Sequence, residues 1–182
     1  MKRICTFMLS ALALPLSLSA QTTTPPTGYK MVWSDEFNGT SLDTKVWNIE
    51  ENGNGGGNQE LQYYRKENVA VANGNLVLTA RRENYNNKQF TSGRINSRDK
   101  AYFKHGIIQA RIKFPKTANG VWPAYWMMGN DYGKLGWPRC GEIDIVETGN
   151  AEGIKNGTQT RHFGATLHWG TSAGANHKQY GT

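Results

Sequence analysis

The stretch Gly141-Glu142-Ile143-Asp144-Ile145-Val146-Glu147 decides how this 182-residue chain is read. Three carboxylates are interleaved with Ile143, Ile145 and Val146, β-branched residues that favour a strand. Strand side chains alternate faces, so Glu142 and Asp144 share one face and Ile143 and Ile145 the other. Plain alternation would put Glu147 among the isoleucines, where an unpaired carboxylate is costly. One extra residue at Ile145-Val146, a β-bulge, resets the parity and returns Glu147 to the acidic face. The expected product is a row of three carboxylates on a strand that is apolar behind.

Such a row suits glycoside hydrolysis. That reaction needs two carboxyls, one as nucleophile or base and one as acid, roughly 5–5.5 Å apart for retention and wider for inversion. A third carboxyl between them can hold a proton for its neighbours. Three adjacent carboxyls cannot all ionise cheaply, so their pKa values are expected to diverge, leaving one carboxylate and one acid at neutral pH. The same row could also be a divalent-cation site or a solvated acidic edge.

The flanks narrow the choice. The run WPAYWMMGNDYGKLGWPRCGEIDIVETGN, Trp122 to Asn150, resembles the active-site region of glycoside hydrolase family 16, in particular its laminarinase-like β-1,3-glucanases. The family motif is E-x-D-x-x-E, or E-x-D-x-E in a branch without the bulge. The resemblance implies Glu142 as nucleophile, Asp144 as assisting acid and Glu147 as acid/base. It implies sugar stacking by Trp122, Trp126 and Trp137, sugar contacts by Arg94 and Asn58, and a place for His168 beside the carboxyls. Trp122 and Trp126 are four apart and share a face if Val121 to Met128 is a strand; aromatic rings can stack there on pyranose C–H surfaces. Trp33 and Trp47 are read as core.

Met1 to about Ala20 reads as a secretory signal peptide, with Lys2 and Arg3 before an apolar run from Phe7 to Leu18 too short to span a membrane. Residues 21–28 read as a linker and 29–182 as one catalytic domain. Loss of the leader takes the net charge from +7 to +5. The remaining basic residues are scattered, so neither nucleic acid nor a membrane is expected as partner. Cys140 is then the one cysteine left, read as packing rather than nucleophile.

The remainder reads as short strands and turns. Tyr29 to Trp33, Glu60 to Arg65, Gly93 to Arg98 and Arg161 to Trp169 are expected strands. Asn73-Gly74 marks a type I′ hairpin within Asn68 to Ala80. His105 to Phe114 alternates, with Ile108, Ala110, Ile112 and Phe114 on one side, as in a half-buried antiparallel strand. In the strand after the triad, Phe163, Ala165, Leu167 and Trp169 form an apolar face, so His168 would look into the cleft. The Asn52 to Asn58 glycine-rich run reads as a surface loop, since no Lys-Ser/Thr or helix pattern follows it.

With 21 glycines and no sustained helical period, the fold class is all-β, an antiparallel sandwich. The resemblance sharpens this to a jelly roll, incomplete at its C-terminus. The family pattern is mid-domain at Thr182, and roughly sixty to ninety further residues would complete such a sandwich. This chain is therefore expected to be poorly stable alone. The functional expectation is a secreted, monomeric, retaining endo-β-glucanase acting on β-1,3- or mixed β-1,3/1,4-glucans such as laminarin. No cofactor is required, and the resemblance admits a structural calcium near Ser34 to Thr40. The alternatives are a non-catalytic glycan-binding sandwich, a metal-binding module, or an agarase- or carrageenase-type member of the family.

Overall fold

A computed structural model describes residues 24–117, 120–171 and 177–182. The expected signal peptide, residues 1–20, lies outside the described residues, as do residues 21–23 of the linker. Two compact units divide the chain between Lys100 and Ala101.

The first unit is held by short strand pairs and a polar net. Strands β1 (Asn48–Ile49) and β6 (Ile95–Asn96) pair antiparallel, β3 (Val69–Ala72) and β4 (Asn75–Leu78) form a hairpin, and β2 (Gln62–Tyr64) runs parallel to β5 (Phe90–Ser92). The hairpin turns on Asn73 and Gly74 with φ of 53° and 70°, the left-handed pair that Asn-Gly supplies at little cost. A buried Asn68 ties three segments together: its amide donates to the Thr79 carbonyl at 2.7 Å and to Thr91 Oγ1 at 3.0 Å. Thr91 in turn donates to Glu83 at 2.5 Å, and Glu83 pairs with Arg65 at 3.3 Å. Each net hydrogen bond of this kind is worth about 1 kcal/mol, but leaving one partner buried and unpaired costs more.

The second unit is built on one antiparallel sheet in the order β10-β9-β8-β7: β7 (Ala124–Met128), β8 (Glu142–Thr148), β9 (Phe163–Trp169) and β10 (Lys178–Gly181). The predicted bulge is present. Tyr125 pairs with Val146 and Trp126 with Asp144, so Ile145 has no partner on β7; the register against β9 slips over the same stretch. Two single-turn helices interrupt the loops, α1 (Tyr132–Leu135) and α2 (Ala151–Lys155). The α2 turn is capped by Asn150, whose Oδ1 accepts from the Gly153 amide at 2.7 Å, the usual N-cap arrangement.

Several expectations need correction. Residues 29–33 and 105–114 take no strand. The alternation in 105–114 reported a face and not a ladder: Ile108, Ala110, Ile112 and Phe114 line a hollow of about 290 Å³ with Tyr125, Ile145 and Val146, yet the segment joins no sheet among the described residues. Apolar contact selects the side chains without requiring a neighbouring strand's amides. The β2–β5 pair is parallel, in a fold otherwise expected to be antiparallel. Trp33 is 38% exposed, not core. It meets Trp47 edge-on at 5.8 Å, and Trp47 donates its indole N–H to Asp35 at 2.8 Å. Among the described residues Val71 and Pro138 are buried apolar side chains, while Phe163, Leu167 and Trp169 on β9 stay exposed.

Candidate active site

Strand β8 carries the carboxyl row in the middle of its sheet. Glu142 stands opposite Met128 on one side and His168 on the other; Asp144 stands between Trp126 and Thr166; Glu147 lies between Ala124 and Gly164. The partners of Glu142 and Glu147 are four positions apart on both neighbouring strands, although β8 spends five residues between them. The even count on the neighbours returns Glu147 to the face of Glu142 and Asp144. Two hollows, of about 290 and 230 Å³, are lined from β7 and β8 by Tyr125, Met127, Ile143, Ile145 and Val146, residues of the opposite parity.

Aromatic and imidazole groups surround the row. The loop from Gly129 to Gly141 is closed by a hydrogen bond between these glycines at 2.9 Å and contains α1. It delivers Trp137, whose indole N–H donates to Glu142 Oε2 at 2.5 Å. Asp144 is buried, and its Oδ2 meets His168 Nε2 at 3.0 Å. Glu142 and Asp144 share a hydrogen bond, and Trp122 hydrogen-bonds Glu147. The structure therefore gathers Glu142, Asp144, Glu147, Trp122, Trp126, Trp137 and His168 around one strand.

The electrostatics follow from this crowding. Burial, then the charge of Asp144, push the Glu142 carboxyl up; the Trp137 hydrogen bond and His168 pull it back in part. Glu147 is raised for the same two reasons and is opposed by His168 and Trp122. Both outer carboxyls thus hold their protons more tightly than a free glutamate. Both are raised because both lose water and both face Asp144. Cys140 is also pushed up, chiefly by burial, which disfavours its thiolate.

Arg94 and Asn58 belong to the first unit. Arg94 pairs with Glu50 at 3.0 Å and lies 5.5 Å from the Tyr64 ring centre. Tyr64 donates to Glu60 at 2.6 Å, and burial together with that carboxylate raises its hydroxyl to about 12. Asn58 is exposed in the glycine-rich turn, its amide 3.5 Å from the Gly56 carbonyl. Near the suggested calcium position, Asp35 spends one oxygen on the Phe37 amide and the other on Trp47. Among the described residues no three His, Cys, Asp or Glu side chains are gathered to hold a metal.

Sequence reasoning missed His177. Its Nε2 lies 2.9 Å from His168 Nδ1, and its ring centre is 4.5 Å from that of Trp137. Nothing local marks it, since Asn176-His177-Lys178 reads as ordinary polar surface.

A family model described as beta-glucan synthesis-associated protein SKN1/KRE6/Sbg1 matches residues 9–142. A solved Bacteroides ovatus mixed linkage glucan GH16 protein, in complex with a G4G4G3G product, is 42% identical, with a TM-score of 0.75 over 84% of this chain and 62% of that one. The chain belongs to glycoside hydrolase family 16 and to the SKN1/KRE6/Sbg1 family. Its fold is accordingly the all-β jelly roll of family 16. The clotting factor G alpha subunit of Tachypleus tridentatus is 43% identical over 150 residues, 81% of this chain and 21% of that protein. A glucan endo-1,3-beta-glucosidase of Cryptopygus antarcticus is 41% identical over 150 residues, 77% of this chain and 51% of its own length. The chain thus spans about a fifth to a half of the length of these two relatives.

Proposed function

We propose that this chain carries the catalytic centre of a secreted, monomeric, retaining endo-β-glucanase that cleaves β-1,3 links, including those of mixed β-1,3/1,4-glucans. The observation that carries the reading is the bulged row of Glu142, Asp144 and Glu147, braced by Trp137 and His168. The names of the family 16 relatives, a glucan endo-1,3-beta-glucosidase and a mixed linkage glucan protein, support the substrate class.

In this mechanism the Glu142 carboxylate attacks the anomeric carbon while Glu147 gives its proton to the leaving glycosidic oxygen. A glycosyl-Glu142 ester forms. Glu147, now a carboxylate, removes a proton from water, which displaces Glu142 with net retention. The raised Glu147 enters the cycle as an acid. The Trp137 N–H favours the charged form of Glu142, whereas the hydrogen bond with Asp144 favours its protonated form, so the proton between them sits on Asp144 when Glu142 attacks. Trp122, Trp126 and Trp137 supply stacking surfaces for pyranose rings.

The second reading is a glycan-binding or glucan-remodelling protein. It is favoured by the synthesis-associated family model, whose match ends at Glu142 and so stops short of Asp144 and Glu147. One assay separates the two. Reducing-sugar release from laminarin is measured for the wild type and Glu142→Gln, with glucan binding measured beside it. Release with retained anomeric configuration, lost in the variant while binding persists, supports the hydrolase. Binding by both with release by neither overturns it.

A further inference from the structure

We infer that His177, one residue before β10, is a positioning residue for the carboxyl row, holding the His168 imidazole in one tautomer and orientation and bracing Trp137. The inference deepens the glucanase reading and rests on it. Its basis is a continuous string of contacts on one sheet face. His168 pairs across the sheet with Glu142 on β8 and with Gln179 on β10. His177 precedes Gln179 by two residues and so projects on the side of His168, at a diagonal distance that long or aromatic side chains bridge.

The hydrogen-bond chemistry assigns the roles. Asp144 Oδ2 lies 3.0 Å from His168 Nε2 and accepts from it when that nitrogen carries the proton. The neutral imidazole then has a lone pair on Nδ1, and the His177 Nε2–H at 2.9 Å is placed to donate to it. If His168 takes a second proton, Nδ1–H donates instead and His177 Nε2 accepts. His177 therefore satisfies the outer nitrogen of His168 in either charge state, as a second partner does for a working histidine. The same ring lies 5.1 Å from His168 at an interplanar angle of 25° and 4.5 Å from Trp137. Trp137 donates to Glu142 and His168 meets Asp144, so one residue steadies both groups that contact the nucleophile pair.

Two variants test this in the full chain. His177→Phe keeps an aromatic ring against Trp137 and removes the hydrogen bond; His177→Gln keeps a donor and acceptor and removes the ring. The first readout is independent of turnover: the ¹⁵N shifts of the His168 ring, at a pH where its spectrum reports the neutral form. Wild type and His177→Gln should show one tautomer protonated at Nε2, whereas His177→Phe should show a mixture. In the second readout, kcat on laminarin should fall about tenfold in His177→Phe, the value of one net hydrogen bond, and recover at least in part in His177→Gln, with KM little changed. Unchanged His168 shifts in both variants would overturn the inference. The expected shifts in a protein without laminarin turnover would leave it standing and overturn the glucanase reading instead.

Discussion

Deleting Ile145 tests the logic of the bulge directly. Residues 142 and 147 face partners four positions apart on both β7 and β9, about 13 Å along a regular strand. Strand β8 places five residues in that interval, and Ile145 is the unpaired one on the β7 side. Removing it leaves Glu142-Ile143-Asp144-Val146-Glu147, which alternates without a bulge and keeps all three carboxyls on one face. The deletion forfeits the part of Ile145 that lines both hollows behind the sheet, a loss of about 1–2 kcal/mol for a half-buried aliphatic chain. Deleting Ile143 instead makes Glu142 and Asp144 adjacent and sends them to opposite faces. The assay is kcat/KM on laminarin, with folding followed by near-UV circular dichroism. The Ile145 deletion should retain activity to within about 10²-fold, the effect of a shift near 1 Å. The Ile143 deletion should lose about 10²–10⁴-fold or more, the contribution of a displaced acid or base. Equal loss in two folded variants would refute the parity argument.

Other outcomes follow from the same contacts. The raised Glu142 and Glu147 bind their protons more tightly folded than unfolded. Each therefore costs stability as pH rises above the ordinary glutamate value of 4.5. Glu147→Gln should raise the melting temperature at neutral pH, with the gain fading below that value; a gain that persists in acid would contradict the cause assigned. Absorbance at 295 nm should show one tyrosine ionising near pH 12, and Glu60→Gln should bring it down, since the carboxylate's bond and charge are lost. Gly149 has φ of +83°, and an added Cβ would collide with the Val121 carbonyl. Gly149→Ala should cost about 1–3 kcal/mol in urea unfolding, and a neutral result would mean the loop moves freely.

Legibility in the sequence tracked the range of the interaction. The carboxyl row, its bulge and the Asn73-Gly74 hairpin were readable because parity and turn chemistry act over a few residues. Residues 105–114 misled because alternation reports which side chains meet an apolar surface, not whether a strand lies beside them. Trp33 misled in a similar way, since a large ring can rest against Trp47 and remain partly in water. Single-turn α1 and α2 left no periodic trace, being too short for one.

By itself, then, the sequence determined the all-β class, the shared face of Glu142, Asp144 and Glu147, and the aromatic character of their surroundings. Tertiary structure alone decided which groups govern those carboxyls. The Trp137 bond to Glu142, the Asp144–His168 pair and the His168–His177 contact depend on the order β10-β9-β8-β7 and on its register. Register is a cross-strand property, fixed by hydrogen bonds between segments far apart in the chain, and no local pattern encodes it.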